Sequence, residues 1–218
     1  MPRVSYASVS TVKPDRLGDA IEMARQAAKL IGRHGAECRL LAAQLAGEQT
    51  GQLVFVVQLE SVERAAVASE AMNDDPEMTE FMDNLGRSTS QIVLLSSSMS
   101  IEIPLPGNLP QGRGSVVEVH ITKPAAGRFE ESIEEAGKAG AVWAQAGAVG
   151  IQAFQMRYGG LQSGSAGLAV EWPSTKSQLL SASIWETDPV GQALATAMMN
   201  GSSAAQLISS ALYRDIPL

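Results

Sequence analysis

Two residues suited to proton transfer, Glu118 and His120, lie two positions apart in a stretch that favours a β-strand. The segment 116–122 is rich in valine, isoleucine and threonine, so its side chains should alternate between the two faces of a sheet. Glu118 and His120 then share one face. A carboxylate and an imidazole this close influence each other's protonation, which general acid–base catalysis exploits. The pair is therefore our candidate catalytic site.

The opposite face of this predicted strand is apolar, because it carries Val117, Val119 and Ile121. We expect this apolar face to pack against helices, and Glu118 and His120 to face the other way, into the interior of a barrel. Further polar residues on predicted strands are expected to bind a ligand there: Tyr6, Gln58, Glu171, Gln152 and Arg157. The alternative is that these residues simply meet water at the mouth of the barrel.

The elements that carry these residues are repeated along the chain. The two copies match in one register, with a single-residue shift part-way through. Corresponding residues include Glu22 and Glu134, Gly35 and Gly147, Ser61 and Ser174, and Asp75-Pro76 and Asp188-Pro189. Self-similarity over this length indicates two tandem copies of one structural unit. We predict a first unit at 1–105, a Pro- and Gly-rich linker at 106–114, and a second unit at 115–218.

Each unit is predicted to contain the elements β-α-β-β-α-β. Segments 17–31 and 129–143 place small and apolar side chains along one face of a helix. Glycine-rich turns then join two apolar runs into a β-hairpin. This order is the ferredoxin-like unit, whose sheet has helices on one face only. We therefore predict an α+β fold in which two tandem ferredoxin-like units form an α+β barrel with the helices outside.

A second helical region in each unit begins after a serine cap and restarts at an Asp-Pro step, Asp75-Pro76 and Asp188-Pro189. In this arrangement the chain resembles the dimeric α+β barrel superfamily, which includes antibiotic-biosynthesis monooxygenases, NIPSNAP-like proteins and stress-responsive A/B barrel proteins. The resemblance covers nearly the whole chain and implies a ligand inside the barrel. It also allows haem as a cofactor, although no motif requires a cofactor. The tandem copy implies that one chain can form the barrel alone.

Composition narrows the range of partners. The net charge is −7 and the chain has no basic cluster, which argues against a nucleic-acid partner or an anionic membrane surface. The single cysteine, Cys38, fits a reducing compartment, and we expect a cytoplasmic protein. The alanine- and glycine-rich composition is typical of a bacterial source. Two histidines far apart in sequence predict no metal site, and exposed strand edges would allow a homodimer.

Three functions fit these observations. The first is a cofactor-independent or haem-related monooxygenase-like enzyme that acts on a small apolar or aromatic molecule, with His120 as base or ligand and Glu118 orienting it. Only 5% of the residues are aromatic, which counts against this hypothesis. The second is a non-catalytic small-molecule-binding protein. The third is a structural or partner-binding protein with a plugged barrel. A pocket separates the first two from the third, and turnover separates the first from the second.

Overall fold

The computed structural model, which describes residues 1–87 and 91–218, contains the predicted order of elements twice. The first unit consists of β1 (Val4–Val12), α1 (Leu17–Gly32), β2 (Glu37–Leu45), β3 (Leu53–Leu59), α2 (Val62–Asn73), α3 (Pro76–Leu85) and β4 (Ile92–Ile103). The second consists of β5 (Val116–Pro124), α4 (Phe129–Gln145), β6 (Gly150–Tyr158), β7 (Ala166–Trp172), α5 (Thr175–Ser181), α6 (Ile184–Thr187), α7 (Pro189–Met199) and β8 (Ala205–Ile216).

The strands of the described chain close into one antiparallel barrel, in the order β1-β3-β2-β8-β5-β7-β6-β4. Within each unit the first strand lies between the third and the fourth, which is the ferredoxin-like order. The end of β4 pairs with β6 of the other unit, and the end of β8 pairs with β2. Both units therefore share one barrel within a single chain, which confirms the predicted fold class. The division into 1–105, 106–114 and 115–218 stays a prediction.

Local sequence signals start the helices where the repeat predicts them. The Ser61 and Ser174 side chains accept backbone N–H bonds at the starts of α2 and α5. Asp75 and Asp188 cap α3 and α7 in the same way, and a proline is the first helical residue in both. These caps satisfy amides that have no partner within the helix. None of the described helices is long and apolar enough to cross a membrane.

The barrel interior is packed with apolar side chains from both units. Leu41 and Val54 of the first unit meet Val117 and Tyr213 of the second in one buried cluster. Separate clusters join each sheet to its own helices, and the one around Trp172 is built from the second unit. The interior is therefore a hydrophobic core that holds the two sheets together.

One end of the barrel is closed by an ion-pair network centred on Arg39 of β2. Arg39 pairs with Glu171 of β7, and its Nε donates to Asp215 Oδ2 of β8 at 3.1 Å. Arg113 adds a second bond to Asp215 at 2.8 Å, and the Gly114 N–H donates to Glu171 at 3.0 Å. The side chains of Arg39, Glu171 and Asp215 are only 16%, 14% and 11% exposed, so each charge depends on its partners. The network ties the first unit to the second.

We predict that Arg39→Met lowers the free energy of unfolding by about 3 kcal/mol, because two largely buried carboxylates lose their shared partner. Urea denaturation measures this loss. The control is Arg25→Met, which removes an exposed ion pair with Glu22 and should cost less than about 1 kcal/mol. Equal losses in the two variants would show that the network does not stabilise the barrel.

Candidate functional site

The structure reverses the orientation that we predicted for the side chains of β5. Val117 and Val119 lie in the cluster inside the barrel, whereas Glu118 and His120 point outward, to the helices of the second unit. The prediction that the two residues share a face is correct, but the prediction that they face the barrel interior was wrong. The two sheets bury their apolar faces against each other, so polar side chains are left on the helix side.

A cavity of about 370 Å³ lies between the sheet of the second unit and its helices. Most of its lining is apolar, and α4, α7 and the strands β5, β7 and β8 all contribute to it. The polar residues of the lining are Glu118, His120, Thr122, Ser132, Glu135, Gln178, Ser181, Ser203 and Ser210. A mainly apolar cavity with a few convergent polar groups is typical of a small-molecule site.

His120 is held in one orientation by contacts on its face and its edge. Its ring stacks on Trp143 of α4, with the centroids 4.9 Å apart and the planes inclined by 13°. Nδ1 lies 2.8 Å from Ser210 Oγ of β8, within hydrogen-bond distance. Nε2 is buried, and among the described residues it has no hydrogen-bond partner, although it lies 3.4 Å from Glu118 Oε1. One ring nitrogen is thus engaged by Ser210, and the other is enclosed beside the Glu118 carboxylate.

Glu118 is a largely buried carboxylate with several partners. Its Oε2 accepts hydrogen bonds from Trp172 Nε1 and Gln178 Nε2, each at 3.2 Å. Burial raises the pKa of Glu118, but contact with His120 and the donors Gln178 and Trp172 outweigh burial and leave the pKa below its ordinary value. The group is therefore ionised at neutral pH. The Glu118 carboxylate therefore places a fixed negative charge 3.4 Å from His120 Nε2.

All three tryptophans of the chain lie around this pair. Trp143 stacks on His120 and meets Trp185 edge-on at 5.0 Å, and Trp172 donates to Glu118. The corresponding positions of the first unit carry aliphatic residues, namely Ile31, Met72 and Leu59. In that unit these three residues join a buried aliphatic cluster. The aromatic walls are therefore specific to the second unit.

The polar pair is also specific to the second unit. By the internal repeat, Tyr6 and Ser8 stand where the second unit has Glu118 and His120. Ser8 Oγ lies 3.3 Å from Ser97 Oγ, the counterpart of the contact between His120 and Ser210. The first unit thus keeps the cross-strand contact but lacks the titratable groups. The titratable pair of the candidate site therefore belongs to the second unit.

The structure places the five predicted ligand-binding residues away from this cavity. Tyr6 lies on the helix side of β1, and Arg157 is exposed near the end of β6. Gln58 donates to Ser5, and Gln152 donates to Glu102 at 3.1 Å. Glu171 belongs to the network with Arg39 at the end of the barrel. None of the five lines the cavity, so the predicted cluster of these residues around His120 was wrong.

Sequence reasoning missed four residues that shape the site: Trp143, Trp185, Gln178 and Ser210. A signal for the tryptophans was present in the repeat, because large aromatic rings replace aliphatic residues at matched positions. Gln178 replaces Ala65 in the same comparison. Ser210 carried no such signal, since its counterpart Ser97 is also serine.

Comparison with solved structures places this geometry in a known fold. An anthrone oxidase-like protein superposes with a TM-score of 0.64 at 13% identity, over 99% of this chain and 92% of that chain. A protein named as a candidate monooxygenase from Fusobacterium nucleatum superposes with a TM-score of 0.60 at 12% identity, over 99% of this chain and 93% of that chain. The chain has the dimeric α+β barrel fold. A chlorite dismutase mutant from Candidatus Nitrospira defluvii shares this barrel, with a TM-score of 0.55 at 8% identity over 99% and 92%.

At these identities the likeness shows the barrel fold alone. No protein-family model matches the sequence, and no curated protein matches it. The function of this α+β barrel therefore has to be argued from its own residues.

The residues of the cavity do not fit a haem group ligated by His120. Nδ1 is engaged by Ser210, and Nε2 faces the Glu118 carboxylate at 3.4 Å, where an iron would have to lie. Trp143 covers one face of the ring. In the described part of the chain, no three His, Cys, Asp or Glu side chains are grouped to hold a metal ion.

The lowered pKa of Glu118 predicts how stability depends on pH. A carboxyl whose folded pKa lies below its ordinary value of 4.5 stabilises the fold above pH 4.5 and loses this contribution as the pH falls through the folded pKa. The wild type should therefore have a higher free energy of unfolding than Glu118→Gln above pH 4.5. The difference between the two free energies should become smaller below pH 4.5. Urea denaturation at a series of pH values measures the gap.

The matched control for this pH series is Glu130→Gln, whose side chain is exposed on α4. This variant should follow the wild type at each pH, because exposed charges contribute little. The account of Glu118 fails if the gap between wild type and Glu118→Gln widens steadily as the solution is acidified.

Proposed function

We propose that the cavity beside β5 binds a small apolar or aromatic molecule and that His120 removes a proton from it, in a cofactor-independent, monooxygenase-like reaction with dioxygen. One observation carries this proposal. His120 lines an apolar cavity, is fixed by Trp143 and Ser210, and has its Nε2 3.4 Å from the ionised Glu118 carboxylate.

The shape and lining of the cavity favour an aromatic ligand. Its volume of about 370 Å³ falls in the range of small-molecule sites. Trp143 and Trp185 present ring surfaces to it, and aromatic rings stack well on such surfaces. Leu168, Leu194 and Met198 supply the remaining apolar contact. A ligand that fills the cavity would displace water from beside the His120–Glu118 pair, which strengthens the charge interactions of the pair.

The chemistry of the pair suits proton removal. In the tautomer in which Nδ1 donates to Ser210 Oγ, Nε2 can accept a proton, and the N–H that forms then points to the Glu118 carboxylate. The carboxylate of Glu118, 3.4 Å from Nε2, then stabilises the protonated ring. General base catalysis of this kind contributes about 10²–10⁴-fold to a rate.

We propose an anthrone-type carbon acid as the substrate class, because one structural neighbour is named as anthrone oxidase-like. His120 takes a proton from the CH₂ group between the rings, and the carbanion passes electrons to dioxygen. In the overall reaction, the CH₂ group and O₂ become a carbonyl group and water. Dioxygen is the oxidant, and the proton held by His120 leaves in the water that forms.

We predict that His120→Ala lowers anthrone-dependent oxygen uptake by about a hundredfold or more, because the base is lost. An oxygen electrode measures the rate above the uncatalysed background. The matched control is Ser8→Ala, the equivalent strand position of the first unit, which should retain the wild-type rate. An unchanged rate of oxygen uptake in His120→Ala would contradict the proposed role of this histidine.

Two other functions are distinguished by the same assay. Wild type that binds anthrone without oxygen uptake would be a non-catalytic binding protein. A protein that does neither would match the plugged-barrel alternative, which the packed interior also favours. A plugged barrel by itself does not decide against a ligand, because the cavity lies outside it, between sheet and helices.

We also propose that the protein is cytoplasmic and forms a homodimer. The cytoplasmic location rests on the single cysteine. The dimer rests on two strand edges: β8 pairs with β2 only from Leu212 onward, and β4 pairs with β6 only from Met99 onward. Among the described residues, 93–98 of β4 and 205–211 of β8 pair with one neighbouring strand, which leaves backbone groups for a second copy. Native mass spectrometry reports the number of subunits.

A further inference from the structure

An exposed apolar patch lies where the cavity meets the surface, at the end of α7 and the start of β8. Met198 and Leu207 line the cavity, although they are 45% and 40% exposed. Their sequence neighbours Met199 and Ile208 are 82% and 47% exposed. We call these four residues the mouth patch. Apolar residues that are grouped on a surface, and not scattered singly, mark an interaction site.

The backbone of β8 has an unused edge along the mouth patch. In the described chain, residues 205–211 of β8 pair with β5 alone, because β2 pairs with β8 only from Leu212 onward. No charged residue and no proline occurs at positions 204–213. Natural proteins protect an exposed strand edge with such residues or cover it with another element. An edge that lacks this protection is suited to accept another β-strand.

The sequence of this edge suits pairing with β8 of a second copy of the chain. When two identical strands pair antiparallel, residues of the same uncharged segment face each other, so no like charges meet. A contact of this kind is related by a two-fold axis and closes after two subunits. The equivalent edge of β4 has less apolar surface beside it, because Gly86 and the charged Arg87 stand where the second unit has Met199 and Asn200.

A strand added to the β8 edge would extend the floor of the cavity. Leu207 and Ser210 of β8 both line the cavity, so their side chains point to the helix side of the sheet. Neighbouring strands lie about 4.8 Å apart, and side chains on the same face of two neighbouring strands contact each other. The helix-side residues of an added strand would therefore lie beside Leu207, at the mouth of the cavity.

We infer that a second copy of the chain pairs its β8 with this edge and completes the cavity, so that the partner subunit covers part of the bound ligand. The inference rests on the proposed homodimer and on the proposed ligand site. It makes dimerisation and ligand binding depend on each other. The dimer binds the ligand more tightly than the monomer does, and the ligand in turn stabilises the dimer, because such coupling is reciprocal.

Equilibrium measurements on the wild type test this coupling without any substitution. Analytical ultracentrifugation gives the dissociation constant of the dimer, and quenching of tryptophan fluorescence reports anthraquinone binding, since Trp143 and Trp185 line the cavity. The dimer should bind anthraquinone about tenfold more tightly than the monomer, because covering about 50 Å² of apolar ligand surface accounts for this factor. With two equivalent cavities, saturating anthraquinone should lower the dissociation constant of the dimer by about a hundredfold.

Two lysine variants at matched positions locate the interface. Ile208→Lys places a charge on the β8 edge, so it should be monomeric and should bind anthraquinone with the affinity of the diluted, monomeric wild type. Leu95→Lys is the control, because Leu95 is the matching residue of β4 and is 50% exposed. This variant should keep the dimer and the wild-type affinity. A lysine that disturbed the cavity directly would weaken binding below that of the wild-type monomer.

The other outcomes would overturn the inference in distinguishable ways. A dimer whose dissociation constant is unchanged by bound anthraquinone would show that the partner does not complete the cavity. Loss of the dimer in Leu95→Lys but not in Ile208→Lys would place the interface on β4. A wild type that stays monomeric and binds phosphatidylcholine vesicles would show that a lipid surface covers the mouth patch instead. Failure to bind anthraquinone at any concentration would contradict the ligand site itself, which the oxygen-uptake assay tests independently.

Discussion

The site depends on a carboxylate that is buried and has to be satisfied. Glu118 lies between sheet and helices, where an ionised group without partners would cost several kcal/mol. Trp172, Gln178 and His120 surround it and keep its pKa low in spite of burial. The same contacts orient Gln178 and set a negative charge beside the His120 ring. In the proposed reaction, the arrangement that stabilises Glu118 also sets its carboxylate beside the base, His120.

The position of the site follows from how the barrel closes. Two sheets from one chain bury their apolar faces against each other, and this interior accommodates Leu41, Val54 and Val117 rather than a ligand. Polar groups on the strands are therefore directed to the helix side or to the barrel ends, where Arg39 and Glu171 pair. The cavity lies between the sheet and the helices of the second unit, outside this common core.

Much of this architecture is predictable from the sequence. Repeated glycines, serine caps and Asp-Pro steps are local signals, and they predict the order of elements and the two-unit barrel. Alternation along β5 also predicts that Glu118 and His120 share a face. Alternation does not predict whether that face meets the barrel interior or the helices. It sorts the side chains of a strand into two sets, but it does not say which set packs in the core. The partners Trp143 and Gln178 come from distant helices, and only tertiary packing brings them to the strand.

The central claim is that the ligand lies between β5 and α4, and not inside the barrel. A crystal structure of the protein with bound anthraquinone, the unreactive product of the proposed reaction, tests this most directly. The account predicts a planar ligand in the cavity against Trp143, with a polar atom within hydrogen-bond distance of His120 Nε2. A ligand seated among the side chains of the barrel interior, or bound at a surface remote from His120, would contradict it.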